Sequence, residues 1–91
     1  MKTFTYTIRD ENGMHARPAG KLATYAKRFS SQIRVKTEDK EADAKRLLAL
    51  MSLGAICGSV LEFVIMGEDE EEAMQGLKHF CVDVWEAGQV Q

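Results

Sequence analysis

The chain has 91 residues, of which 45% are hydrophobic and 29% charged, and a net charge of −2 at pH 7. This length suits one domain with a single core, here residues 1–91, and the composition is that of a globular protein and not of a disordered or membrane-spanning one. No block of Lys and Arg could neutralise a phosphate backbone, so we expect proteins or small anions as partners and no nucleic acid.

The first predicted strand covers residues 3–8, where threonines alternate with larger apolar residues. A period of two with β-branched and aromatic residues is typical of a strand with one buried face. The core-facing residues would be Phe4, Tyr6 and Ile8. A polar connection follows, and the spacing then changes to that of a helix over residues 16–29. Its apolar side consists of Ala19, Leu22, Ala23, Ala26 and Phe29.

Alternation returns over residues 32–37 and predicts a second strand, followed by a charged turn and a weak third strand around Glu41 and Ala42. Asp43 is a candidate N-cap for a second helix over residues 44–53, because its side chain could accept hydrogen bonds from the first turn. Gly54 would end that helix.

The fourth strand, residues 60–66, is so apolar that we place it in the centre of the sheet. The last helix begins with four acidic residues, which complement the helix dipole, and Asp69 with Glu72 has the spacing of a capping box. Gly88 would end this helix. Its apolar stripe consists of Ala73, Leu77, Phe80, Cys81 and Val84.

The predicted order is therefore β-α-β-β-α-β-α, which favours an α+β open-faced sandwich of a four-stranded antiparallel sheet with three helices on one face. Val60, Val64 and Met66 would lie on the other face of the sheet. We expect a monomer, although these three side chains make that face more apolar than a monomer needs.

No segment reaches the ~18 apolar residues of a membrane span, and the first residues lack the apolar run of a signal peptide. We expect a soluble, cytoplasmic protein without a cofactor. Cys57 and Cys81 lack the spacing of a metal or redox motif, so we expect no metal and predict that both are buried or half-buried thiols.

The stretch from Asn12 to Gly20 carries the strongest functional signal. Asn-Gly predicts a turn, and Pro18 is tolerated in a helix only in the first turn, so His15 should lie at a helix N-terminus. Unpaired N–H groups and the helix dipole favour an anion there, and Arg17 can fork two hydrogen bonds to phosphate oxygens. We assign the backbone of this anion site to Asn12, Ala16, Arg17 and Pro18.

The competing interpretation is that His15 is only a helix cap or a loop residue. A small histidine-dependent hydrolase is a poor hypothesis, because no carboxylate orients His15 and no second catalytic group is visible near it in the sequence. His79 has no clustered ligand and is interpreted as a surface or boundary residue.

The second candidate helix presents two apolar arcs at ~100° per residue. One arc consists of Ala49, Leu50 and Leu53, and the other consists of Leu47, Leu48 and Met51. A helix lying on a sheet needs only one arc buried, so the second is either an exposed docking patch or part of the core. Composition alone leaves these alternatives about even.

Two segments together resemble the signatures of one family. Residues 12–19 read Asn-Gly-Met-His-Ala-Arg-Pro-Ala and residues 50–54 read Leu-Met-Ser-Leu-Gly. The first is similar to the active-site signature, and the second to the downstream signature, of HPr, the histidine-containing phosphocarrier family of the phosphoenolpyruvate-dependent sugar phosphotransferase system. The resemblance covers essentially the whole chain.

The resemblance implies that His15 accepts a phosphoryl group from phosphorylated enzyme I and passes it to IIA domains of sugar permeases, with Arg17 contacting its oxygens. The protein would then be a phosphoryl carrier and not an enzyme. It also favours the docking patch over the core alternative. The expected docking residues are Met14, Gly20, Thr24, Arg46, Leu47, Leu48 and Met51.

One position departs from the family pattern. Many members carry a regulatory serine where this chain has Arg46, which an HPr kinase could not phosphorylate. We hypothesise that its positive charge strengthens binding to acidic partner surfaces. The alternative function is an HPr-like regulatory binding module, with regulatory proteins as partners, or a nitrogen-branch paralogue.

Overall fold

The computed structural model describes residues 1–86. The predicted order of elements is confirmed, and a π-helical segment, Cys81–Glu86, continues the last helix. The predicted end of that helix at Gly88 lies outside the described residues. The strands are β1 (Lys2–Thr7), β2 (Gln32–Lys36), β3 (Glu41–Asp43) and β4 (Val60–Met66), and the helices are α1 (Ala16–Ala26), α2 (Leu47–Met51) and α3 (Glu70–Phe80).

The four strands form one antiparallel sheet in the order β1-β4-β2-β3, which confirms the open-faced sandwich and the interior position of β4. Along β4 the residues alternate, so that Leu61, Phe63 and Ile65 are fully buried while Val60 and Met66 are exposed. The helices cover the buried face. The other face therefore does carry exposed apolar residues, and the monomeric state stays a prediction.

Trp85 closes one end of the core and was not singled out in the sequence. Its ring packs 5.4 Å from Tyr6 and 5.5 Å from Phe80 between centroids, and its Nε1–H donates to the Pro18 carbonyl at 3.0 Å. The segment after α3 is thereby tied to the first turn of α1.

Helix α1 ends at Ala26, three residues before the predicted end. The backbone N–H groups of Arg28 and Phe29 donate to Tyr25 and Ala26, three positions back, so the chain leaves α1 through a tighter turn. Phe29 is still buried in the core, so the sequence shows an apolar residue at a helical spacing although the helix has already ended.

Helix α2 begins at Leu47, not at residue 44, and the prediction that Asp43 caps it is wrong. Asp43 belongs to β3, and the next N–H, of Ala44, donates to the Ile33 carbonyl at 2.9 Å. The sheet thus continues into the predicted first turn, and Arg46 occupies the N-cap position.

The predicted capping box of Asp69 with Glu72 is also absent, because a tertiary contact takes the Asp69 carboxylate. It accepts hydrogen bonds from the backbone N–H groups of Ser30 and Ser31, each at 2.9 Å, and from the Ser31 hydroxyl. Glu70 instead accepts the N–H of Gly67 at 3.1 Å.

The two cysteines differ. Cys81 is buried as predicted, and burial raises the pKa of its thiol to about 12. Cys57 is exposed, so the prediction for it is wrong, since it lies in the surface loop before β4. No helix within residues 1–86 is long and apolar enough to cross a membrane.

Candidate functional site

The loop before α1 is held in place by backbone contacts. Gly13 adopts φ +68° and donates its N–H to the Asp10 carbonyl at 2.9 Å, and Met14 donates to the Ala55 carbonyl at 3.0 Å. A Cβ on Gly13 would lie 2.9 Å from the Cα of Ile56. The loop therefore lies directly against residues 55–56, which fixes the point at which α1 begins.

His15 is the N-cap residue of α1, as the sequence predicts. Its backbone is extended, and its carbonyl accepts the Ala19 N–H at 3.1 Å. The imidazole makes no capping hydrogen bond, and 38% of the side chain is exposed. His15 therefore takes the N-cap position that the competing interpretation gave it, but the ring is not used for capping and can be reached by another molecule.

A carboxylate does lie beside the ring, contrary to the prediction. The Nε2 atom of His15 is 3.3 Å from Oδ2 of Asp10. The other oxygen, Oδ1, accepts the Asn12 N–H at 2.8 Å, and this bond, followed by the contact with His15, lowers the pKa of the Asp10 carboxyl against the opposing effect of burial. One ground for rejecting a histidine-dependent hydrolase is thus removed. Within residues 1–86, however, no hydroxyl or thiol is hydrogen-bonded to the His15 ring.

The Asn12 contact also corrects the predicted anion site, because the backbone N–H of Asn12 is already donated to Asp10. Pro18 has no N–H and contributes only its fixed φ. The N–H groups of Ala16 and Arg17 have no intrahelical acceptor, by the geometry of a first turn. These two groups form the backbone part of the site.

Cations outnumber carboxylates in the cleft at this helix end, by Arg9, Arg17 and Lys21 to Asp10 and Glu11. No acidic residue occupies the first turn of α1. Arg17 is exposed and lines an open cleft that contains His15, Asp10 and two further cations, Arg9 and Lys21. The helix end and the cations together favour a bound anion next to the imidazole.

The two apolar arcs of α2 are confirmed, and the alternative that assigns both to the core is wrong. Leu50 is fully buried, whereas Leu48 is 78% exposed and Leu47 and Met51 are exposed to about half that extent. We call Leu47, Leu48 and Met51 the α2 patch. Its Leu47 lies beside Gly20 of α1, since a Cβ built there would be 4.0 Å from the Leu47 Cδ1.

The remaining predicted docking residues separate into two groups. Thr24 and Arg46 are exposed, as a contact with a partner requires. Met14 is only 7% exposed and packs in the core, so its assignment to the docking surface is wrong.

Sequence reasoning missed two residues. Asp10 was read only as part of a polar connection, although an acidic residue five positions before the histidine is a usable signal. Ile56 is 67% exposed next to the loop that carries His15. An isolated isoleucine after Gly54 gives little signal, because an unpatterned apolar residue in a loop can equally be buried.

No group of three His, Cys, Asp or Glu side chains within residues 1–86 could hold a metal ion. His79 is exposed on α3, as predicted.

Comparison with known proteins identifies close relatives. Residues 2–83 match the family model described as the phosphorylation site of the HPr component of the phosphotransferase system. The phosphocarrier protein HPr of Lysinibacillus sphaericus is 43% identical over 77 residues, which cover 85% of this chain and 88% of that protein. The HPr-like protein Crh of Halalkalibacterium halodurans is 37% identical over 73 residues, 80% of this chain and 87% of the relative.

The fold matches as well. The solved structure of the histidine-containing phosphocarrier protein of Mycoplasma superposes with a TM-score of 0.87 at 32% identity, covering 90% of this chain and 93% of that one.

Proposed function

The chain belongs to the HPr family of phosphocarrier proteins of the phosphotransferase system, and we propose that it carries a phosphoryl group on His15. The group arrives from phosphorylated enzyme I and leaves to IIA domains of sugar permeases. The observation that carries this proposal is the exposed imidazole at the N-cap of α1, beside Arg17 and a first turn without acidic residues.

The acceptor atom follows from the environment of the ring. Nε2 faces the Asp10 carboxylate, whereas Nδ1 makes no hydrogen bond within residues 1–86. Nδ1 is therefore the nitrogen with an available lone pair. It is also the nitrogen nearer to the backbone, so a phosphoryl group on it lies close to the N–H groups of Ala16 and Arg17, which would stabilise its charge.

A carrier must present its phosphoryl group to other proteins, and the α2 patch supplies a surface for this. It is exposed, apolar and joined to α1 through Gly20. Methionine and leucine side chains adapt to partners of different shape, which suits a protein that must dock on both a donor and an acceptor. Thr24 on α1 and Ile56, next to the loop that carries His15, are further exposed residues that a partner can contact.

Arg46 adds a fixed positive charge next to the patch, because it is exposed at the N-cap of α2. We propose that it speeds association with acidic partner surfaces. An Arg46→Ser variant should then transfer phosphate more slowly at low salt, with a weaker dependence on salt. Unchanged transfer rate and salt dependence would contradict this role.

The protein in this proposal is a substrate of the enzymes at both ends and does not catalyse a reaction alone. Family membership supports a cytoplasmic location and phosphotransferase partners.

The test is incubation with enzyme I, Mg²⁺ and labelled phosphoenolpyruvate. We expect an acid-labile, base-stable label that is lost in His15→Ala. His79→Ala is the matched control, because it removes the other histidine from an exposed position on α3 and should keep the label. Absence of label on the wild-type protein under conditions that modify an ordinary HPr would overturn the proposal.

The regulatory alternative has one observation in its favour, the similarity to the HPr-like protein Crh. In that case the protein acts as a binding module whose docking or phosphorylation is a signal. Chase of the labelled protein with a IIA domain separates the two functions, because a carrier loses its label to the IIA domain and a signalling module retains it.

A further inference from the structure

The Asp10 carboxylate lies where it can decide which nitrogen of His15 carries the proton. Its Oδ2 is 3.3 Å from Nε2, and an ionised carboxylate can only accept a hydrogen bond. The contact is therefore a hydrogen bond only when Nε2 is the donor. In neutral imidazole the proton on Nε2 leaves the lone pair on Nδ1.

We infer that Asp10 is a positioning residue that holds His15 in the tautomer with Nε2 protonated and Nδ1 ready to attack phosphorus. The inference rests on the proposed function of His15 as the phosphoryl acceptor. It assigns to Asp10 a role in the transfer step itself, beyond the shape of the loop.

The transfer step is balanced as follows. The Nδ1 lone pair forms the N–P bond while the bond between phosphorus and the donor's leaving atom breaks, and that electron pair stays with the donor. The Nε2 proton remains in place, so the product ring is a phosphorylated imidazolium whose positive charge faces Asp10. Transfer to the acceptor reverses these changes, because the N–P electron pair returns to Nδ1.

The loop holds the carboxylate in position for this role. Oδ1 accepts the Asn12 N–H at 2.8 Å, and the Asp10 carbonyl accepts the Gly13 N–H at 2.9 Å. Because the backbone fixes one oxygen, the other already points at the ring before the reaction begins. The transfer step therefore carries no further entropy cost for ordering this side chain.

A carboxylate near an incoming phosphoryl group also brings repulsion. The three cations Arg9, Arg17 and Lys21 line the same cleft and offset the negative charges of Asp10 and Glu11. Since this repulsion is offset, we expect the loss of the favourable tautomer to dominate, so that removing the Asp10 carboxylate slows the transfer.

Asp10→Asn tests this with little disturbance of the loop. The amide oxygen can still accept the Asn12 N–H, but the NH₂ group replaces Oδ2 opposite the ring and donates to Nε2. We expect the proton to move to Nδ1 and the rate of phosphoryl acceptance to fall by at least about tenfold, since a histidine in the wrong tautomer loses its reactive lone pair.

The matched control is Glu11→Gln, which removes the same charge from the same cleft. Glu11 makes no hydrogen bond to the ring within residues 1–86, so loss of this charge should not slow phosphoryl transfer. Asp10→Ser is a second test variant, because its hydroxyl can close the turn but is too short to reach the ring. It should lose rate as Asp10→Asn does.

Two measurements are needed. The ¹⁵N chemical shifts of the ring nitrogens of the unphosphorylated protein report the tautomer without any partner. The single-turnover rate of phosphorylation is then followed as a function of the concentration of phosphorylated enzyme I, where we expect the maximum rate to fall and the half-saturation concentration to stay.

A wild-type ring that is not protonated on Nε2, or an Asp10→Asn variant as fast as or faster than wild type, would overturn the inference. The ¹⁵N measurement keeps this separate from the proposed function, because a protein that accepts no phosphate at all can still show the Asp10-dependent tautomer.

Discussion

The N-termini of α1 and α3 share the partial positive charge of a helix start, and they differ in the side chains that lie there. The first turn of α1 contains no acidic residue, and its N-cap, His15, makes no capping hydrogen bond. The first turn of α3 contains three, Glu70, Glu71 and Glu72, which is the arrangement that a helix dipole favours.

The acidic residues of α3 are also engaged elsewhere. Glu70 accepts the Gly67 N–H and pairs with the N-terminal ammonium at 2.9 Å, while Glu71 pairs with Lys2 at 3.0 Å. The positive end of α3 thus has carboxylates of the protein beside it, whereas that of α1 has none in its first turn. An end left open next to Arg17 gives up some stability and gains a place for an external anion.

Both helices are entered through a glycine with positive φ pressed against a neighbouring segment. Gly13 at +68° lies against residues 55–56, and a Cβ built on Gly67, which has φ +152°, would lie 2.7 Å from the Ser31 Cα. The backbone path into each helix is therefore fixed by close packing. The two helix starts differ in the side chains of the N-cap and first turn.

The largest effect should come from blocking the entry to α1. Gly13→Ala combines an unfavourable φ with a Cβ 2.9 Å from the Ile56 Cα and closer still to the Ala55 carbonyl. We expect a loss of about 2–4 kcal/mol in the free energy of unfolding, measured by urea denaturation. Gly54→Ala is the control, because Gly54 has a similar φ of +66° with nothing within 4 Å. An equal loss in both variants would show that close packing of the loop contributes nothing.

Removal of Arg17 should separate function from stability. Arg17→Ala deletes a cation that the dipole disfavours at this end, so we expect the free energy of unfolding to stay or rise slightly. The rate of phosphorylation should fall by about tenfold, the effect of one charge-assisted contact to phosphate. Phosphorylation assays quenched at successive times measure the rate, and urea denaturation measures the free energy of unfolding. A variant that transfers at the wild-type rate would contradict a role of Arg17 at the phosphoryl group.

Ala16→Glu converts the α1 end into one of the α3 type. Ala16 is exposed, so the substitution should stabilise the protein by about 0.3–1 kcal/mol at low salt through the dipole. The same carboxylate should slow phosphorylation, because it occupies the position of the incoming anion. Ala16→Gln is the neutral control for size. Faster or unchanged phosphorylation in Ala16→Glu would contradict the open-end interpretation.

The smallest effect is confined to acid pH and concerns the α3 end. The hydrogen bonds from Ser31 and Ser30 lower the pKa of Asp69 below its ordinary value of 3.8. A depressed folded-state pKa gives stability above the unfolded value that is lost as the pH falls through the folded one. We expect the Tm to drop below pH 3.8, and to drop less steeply in Asp69→Asn, measured by thermal melting between pH 7 and 2. Parallel curves would show that Asp69 contributes nothing to acid unfolding.

Local sequence patterns were enough to predict the order of the elements, the central position of β4, and His15 at the start of a helix. These follow from local signals: the apolar character of residues 60–66, and a proline that only a first turn tolerates. It also identified two apolar arcs on α2, because their spacing is fixed by the helix.

The partners of the polar side chains, in contrast, depend on how the elements pack against one another. Asp43 and Asp69 have the local pattern of helix caps, yet the continuing sheet displaces the first from α2, and the serines before β2 take the carboxylate of the second. Asp10 reaches His15 for the same reason, since a turn folds the loop back onto the helix start. A hydrogen bond depends on positions in space to within a few tenths of an ångström, and local spacing in a sequence does not specify them.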